Sequence, residues 1–225
     1  MRRIVVVAVA AAACAVAAAP AGATNECRGL QVCVPVAGPW VVASPGQVEF
    51  QLSCPRRYVV AGLDAELTTR GIEIGFVGKL GSPVNPGITT SQDAVFLGRL
   101  VRGGDAASSF RPHIGCVPAS GGGRRTPTAY HAYPPGKPTM RRVVELHVKP
   151  GTTIRSVRCQ PNERLVSASH AIGFFGGGPP TPRLVHALHA SHAVHGGAAI
   201  LTVRATSAVA ETPTVVQLDL VCVPT

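Results

Sequence analysis

Aromatic residues are scarce in this chain: Trp, Tyr and Phe make up 4% of it, with a single Trp. Charge is thin as well, at 14%, with 11 acidic residues against 21 basic ones. A helical pattern is missing. Apart from the N-terminal run, no window of helical length both lacks Gly and Pro and keeps apolar residues at a 3.6-residue period. Beyond that run, no apolar stretch approaches the roughly 20 residues needed to span a bilayer as a helix. Neither G-x-S-x-G nor H-E-x-x-H occurs. Gly176-Gly177-Gly178 has no following Lys-Ser/Thr and so is no phosphate loop. Asp64 and Glu66 alternate along one strand and read as an exposed face rather than an acid/base pair. Asp105, Ser108, Ser109 and His113 make only a nominal triad. These absences exclude a helical bundle and the familiar hydrolases, and the chain reads as non-enzymatic.

Gly and Pro, by contrast, number 25 and 20, and hydrophobic residues reach 46%. That mixture suits many short strands joined by tight turns, and it is too apolar for disorder. The start of the chain has its own logic. Met1-Arg2-Arg3, the apolar run Ile4 to Ala19 and Pro20-Ala21-Gly22-Ala23 have the layout of a secretory signal peptide, with cleavage near Ala23. The expected mature protein is secreted or envelope-associated, without a transmembrane segment. Its net charge falls from +10 to +8 when Arg2 and Arg3 leave.

Cleavage also removes Cys14 and leaves Cys27, Cys33, Cys54, Cys116, Cys159 and Cys222. Six cysteines in an exported chain point to three disulfides, with 15 connectivities open. A duplication chooses among them. Pro45-Gly46 opens nine residues before Cys54, and Pro150-Gly151 opens nine before Cys159. Cys54 to Cys116 spans 62 residues and Cys159 to Cys222 spans 63. Pairing each copy alike gives Cys54–Cys116 and Cys159–Cys222, and leaves Cys27–Cys33 as a local loop bent at Arg28-Gly29.

The strands are read from alternation. Val48, Phe50, Leu52 and Cys54 share one face, as do Val216, Leu218, Leu220 and Cys222. Tyr58 to Ala61, Ile72 to Phe76, Ala94 to Val101 and Phe110 to Val117 complete a first unit. Val144 to Val148, Ile154 to Cys159, Leu165 to Ala168, Ala171 to Phe175 and Leu201 to Ala205 belong to a second. Gly81 to Gly87 is a loop. The expected fold is all-β: two tandem homologous disulfide-stapled β-sandwich units, Ig-like or jelly-roll-like, packed as a pseudo-symmetric pair. The divisions are a signal peptide at 1–23, an N-terminal edge segment at 24–39 and a first unit at 40–118. A Gly/Pro/Arg-rich linker at 119–142 leads to a second unit at 143–225.

The Cys-Pro step after Pro-Gly and the closing Cys116-Val117-Pro118 and Cys222-Val223-Pro224 resemble exported actinobacterial proteins with repeated Cys-Pro…Cys units. The resemblance implies β-sandwich-like modules and no particular chemistry. The chain departs from it at Arg57, where Gly is expected, and at Gln160, where Pro is expected.

Two stretches carry candidate sites. His186, His189, His192 and His195 recur every third residue, and imidazole suits Zn, Cu or Ni. On a strand the spacing divides them, with His186 and His192 on one face and His189 and His195 on the other. Arg124, Arg125, Tyr130 and Tyr133, with Arg141 and Arg142, make a basic, aromatic-bearing strip suited to an anionic ligand. The first functional expectation is an exported non-catalytic binding or structural module. Its partner would be an anionic cell-wall polymer or a carbohydrate rather than a specific nucleic acid. An extracellular transition-metal binder using the histidine array comes second, and an enzyme of unrecognised type third. No obligatory cofactor is implied.

Overall fold

A computed structural model describes residues 26–30, 32–78, 92–119 and 139–225. The expected signal peptide at 1–23, the expected loop from Gly81 to Gly87 and Arg124, Arg125, Tyr130 and Tyr133 lie outside the described residues.

The fold is all-β. The first half holds β1 (Val34–Ala37), β2 (Trp40–Val42), β3 (Val48–Ser53), β4 (Tyr58–Leu67), β5 (Ile72–Gly78), β6 (Asp93–Leu100) and β7 (Ser109–Pro118). The second holds β8 (Met140–His147), β9 (Gly151–Arg158), β10 (Glu163–Phe174), a five-residue helix α1 (Pro182–His186), β11 (Leu188–His195), β12 (Ala198–Ala205) and β13 (Thr214–Pro224). Two stretches expected as separate strands, Leu165 to Ala168 and Ala171 to Phe175, form one long β10 with an irregularity between Leu165 and Ser167. The long ladder with β13 carries the strand through 167–169, where the alternation fades. All pairings among the described strands are antiparallel.

Both halves lay their strands in the same order. In the first, β7 is flanked by β4 and by the β1–β2 line, while β6 is flanked by β3 and β5. In the second, β13 is flanked by β10 and β8, while β12 is flanked by β9 and β11. The halves then join into one long sheet where Val41 pairs with Gly173 and Trp40 with Phe174. By order, β2 matches β8 and β10 matches β4. The halves therefore meet through unlike edges, head to tail rather than about a two-fold axis.

The long sheet carries a small sheet against each half. Phe50, Phe96, Phe110, Ile114 and Cys116 fill the first core, joined by Ala171 and Val215 from the second half. Leu188, Leu201, Val203, Val216, Leu218, Leu220 and Cys222 fill the second. Strand β13 thus serves both cores, because its period of two sends alternate residues to opposite faces. The disulfides pair as Cys27–Cys33, Cys54–Cys116 and Cys159–Cys222, the pairing expected from the duplication. Such bonds persist in oxidising compartments. Among the described residues, no helix is long and apolar enough to cross a membrane.

The Cys27–Cys33 loop bends at Gly29, whose φ of 80° is open to glycine at little steric cost. The loop lies on the β4–β7 pair so closely that a Cβ on Gly62 would sit 1.6 Å from the Glu26 carbonyl oxygen. Arg57, standing where glycine is expected, has a φ of 70°. This left-handed turn between Cys54 and β4 supplies the physical reason for that expectation.

Candidate functional site

Across β11, β12 and β9, outward positions fall in four rows. These are His189–Arg204–Thr152, Ser191–Thr202–Ile154, Ala193–Ile200–Ser156 and His195–Ala198–Arg158. No carboxylate is among them. Arg158 and Arg204 are exposed, and neither has a hydrogen-bond or ion-pair partner among the described residues. Ile154, 64% exposed, leaves the middle of the face apolar. Six residues separate Ala198 from Arg204 on β12, so the two cationic rows stand about 20 Å apart along the strands.

The first row ends in a hollow of about 310 Å³ lined by His186, His189, Arg204, Thr152 and Thr206. Helix α1 sets His186 there. Thr181 caps it by accepting from the Leu184 N–H at 3.3 Å, and Pro182 takes the first turn, where its missing N–H costs nothing. The histidine array therefore begins on a helix and continues on a strand, against the expectation of a strand throughout.

The structure does not bring the four histidines together. His186 and His189 share the hollow, His195 is exposed at the far row, and His192 turns toward the core side. Among the described residues, the only three ligand-type side chains with donor atoms within 4.8 Å of one another are Cys159, Glu163 and Cys222. The two sulfurs of that set are already bonded to each other. A single four-histidine centre is absent because the three-residue spacing alternates between faces of β11.

His192 meets instead a residue that spacing did not flag. Its Nδ1 lies 2.7 Å from Nδ1 of His170 on β10, with the rings edge to face and centroids 5.0 Å apart. Burial, then the neighbouring His192, hold the His170 imidazole below its ordinary value, against a hydrogen bond to the Ala190 backbone. The pair forms one wall of a cleft of about 320 Å³, where β10 leaves β2; Ser44, Gln47 and Ser169 contribute polar atoms. Only the packing of β10 against β11, from two different sheets, could have revealed it.

Arg141 and Arg142 require a correction. Both lie in β8, not in a linker, and both are committed to carboxylates. Arg141 is bonded to Glu49 of β3 and to Asp219 of β13. Burial would lower the Arg141 value, but the Glu49 hydrogen bond and the Asp219 charge raise it, keeping the guanidinium charged. Burial raises the Asp219 value from its ordinary one, and Arg141 only partly offsets that. Arg142 holds Glu163 through hydrogen bonds of 2.8 and 2.6 Å, which lower the Glu163 value. Neither arginine is available to an outside anion.

Beside Arg141, Gln217 is 1% exposed. Its Oε1 accepts from the Gln51 N–H at 2.6 Å, and its Nε2 donates at 3.0 Å to the Gln51 carbonyl and at 3.0 Å to Glu145. One side-chain amide thus does for the free edge of β3 what a neighbouring strand would do.

The other acids are structural. His113 sits between Glu66 at 3.4 Å and Glu26 at 3.8 Å. Asp64 accepts from the Ala65 N–H at 2.8 Å. Asp105 accepts from the Ser108 hydroxyl at 3.3 Å and from the Ala107 N–H at 2.9 Å, closing a turn. Asp105 and Ser108 line a hollow with Pro179 to Pro182 in which His113 has no part, so the nominal triad is not assembled. Comparison with protein-family models, with curated proteins and with solved structures returns no match.

Proposed function

We propose that the protein is an exported, non-catalytic binding module that holds an anionic polymer of the cell envelope on the outer face of β9, β12 and β11. The observation that carries this reading is the twelve-position face without a carboxylate, bearing two arginines that have no partner among the described residues. Guanidinium groups recognise phosphate and carboxylate by paired hydrogen bonds. Cationic rows about 20 Å apart suit an extended chain with repeated anionic groups better than a small molecule. The hydroxyls of Ser156, Ser191 and Thr202 between the rows, with that of Thr152 in the first row, suit the polar groups of a glycan.

Binding to purified cell wall and to a defined anionic polysaccharide tests the reading. Arg158→Gln and Arg204→Gln should each weaken binding about two- to fivefold, as for exposed charge pairs. Added salt should weaken it further, because exposed charges are screened within about 10 Å at 0.1 M. Arg99→Gln, on the corresponding sheet of the first half, should leave binding unchanged. Absence of binding at low salt, or equal losses from all three variants, would sink the proposal.

A further inference from the structure

We infer that the Cys27–Cys33 loop is a cap: it occupies, on the first half, the face that β3 occupies on the second, and so bars β9 of a second copy from docking there. The inference stands apart from the anionic-polymer reading, since it concerns contacts between copies of this chain.

The duplication defines the two faces. Counting back from Cys116 and Cys222, His113 corresponds to Asp219 and Arg111 to Gln217. The ladders agree. Strand β4 has an irregularity between Val60 and Gly62, opposite Cys116 and Gly115, and β10 has its own between Leu165 and Ser167, opposite Cys222 and Val221. Gly62 therefore corresponds to Ser167, and Gly115 to Val221. In the second half β3 lies on this face: Gln51 is bonded to Gln217, and Arg141 ties Glu49 to Asp219. In the first half the buried Glu26 lies there instead, its carboxylate 3.8 Å from Nδ1 of His113. A Cβ on Gly62 or on Gly115 would overlap the Glu26 carbonyl, whereas the second half carries side chains at both positions. The two glycines thus answer to the loop and not to the shared fold.

Strand β9 is the counterpart of β3, with Ser156 in the place of Gln51. It is exposed along most of its length, and none of the described strands pairs with its outer edge. Within the chain, the first half presents β2 and β3 to the β10–β13 face of the second. The second half ends in β8 and β9, and the equivalent face, β4–β7, belongs to the far end of the molecule. Only a second copy brings that edge and that face together, and repetition of the step builds an open row. Charge favours the match. The β4 face carries Asp64 and Glu66, whereas β9 carries Arg155 and Arg158 and no carboxylate. Arg111, in the place of Gln217, donates to the Gly38 carbonyl at 3.1 Å and has nothing with which to accept. The joint between copies is therefore weaker than the joint within the chain. Arrays of repeats have special ends for the reason this loop supplies: an open repeat goes on adding neighbours.

Sedimentation velocity over a range of protein concentrations tests the inference. The unaltered chain should remain a monomer throughout. Gly62→Ala, which pushes the loop off and leaves all three disulfides, should give a sedimentation coefficient that climbs with concentration past the dimer. Cys27→Ser/Cys33→Ser, which frees the loop, should do the same. Adding Arg155→Glu/Arg158→Glu to either variant should restore the monomer, and hydrogen exchange of the associated form should slow at β9 and β4. Monomeric behaviour of both uncapped variants overturns the inference, as does equal association of the unaltered chain. Association that stops at a dimer, or that survives the Arg155→Glu/Arg158→Glu change, overturns it too, because another surface or general unfolding is then responsible. Should Gly62→Ala fail to fold, the cysteine variant decides by the same criteria.

Discussion

The two small sheets share an order of strands but treat charge in opposite ways. On β3–β6–β5, outward carboxylates have partners within the protein. Glu73 pairs with Arg99 at 3.0 Å, Asp93 accepts from Ser53 and Gln51, and Glu49 is taken by Arg141. On β9–β12–β11 there is no carboxylate, and Arg158 and Arg204 are exposed without a partner among the described residues. Strand edges differ likewise. The free edge of β3 is closed by Gln217, whereas β9 is exposed along most of its length. One layout thus serves as a sealed joint in the first half and as an open surface in the second.

Breaking the joint should have the largest effect. Arg141→Ala strands two carboxylates, one of them buried, and should lower unfolding free energy in urea by about 3–5 kcal/mol. Gln217→Leu leaves both polar groups of Gln51 unmet and should cost about 1–3 kcal/mol. Ser156→Ala, at the position on β9 corresponding to Gln51, should change stability by less than about 0.5 kcal/mol. A comparable loss at Ser156 would mean that β9 is sealed too, and the contrast would fail.

A smaller change sharpens the comparison at the turns that precede β4 and β10. Arg57 has a positive φ, but no residue of the Gln160 to Asn162 turn does. Arg57→Gly should raise the melting temperature through relief of about 1 kcal/mol of backbone strain, and Asn162→Gly should lower it. A fall on Arg57→Gly would remove strain as the account of that turn.

The smallest expected effect is in pH dependence. The His170 value is lowered from 6.5 in the folded chain, chiefly by burial. As pH drops below 6.5 the unfolded chain takes up the proton first, so stability should decline on the acid side and level off above it. His170→Gln should flatten that slope, and an unaltered slope would assign it to other groups.

Much of this fold was legible in the residues. The repeated cysteine frame specified the disulfides, and clean alternation marked β3 and β13 because one face of each is apolar. Alternation, however, does not say what covers the other face. Gln217 and Asp219 alternate with the apolar positions of β13, yet both are buried, because β3 of the distant first half lands on that face. Arg141 and Arg142 sat at the end of a stretch rich in Gly, Pro and Arg, and only their carboxylate partners reveal them as strand residues. The candidate site was half legible. The histidine spacing drew attention to β11, but His170 lies 22 residues before His192 on another strand, and no local pattern links them.

The Gln217 amide has one more consequence, in the timing of biogenesis. Its partner Gln51 lies 166 residues earlier in the chain. A chain synthesised from its N-terminus therefore presents β3 with an unsatisfied edge until its last strand arrives. During that interval the edge is open to pairing with other chains, the usual start of strand-mediated aggregation. Loss of only the final dozen or so residues would extend that exposure indefinitely. The C-terminal strand therefore acts as a closure whose absence should be felt first as insolubility, before any question of ligand binding arises.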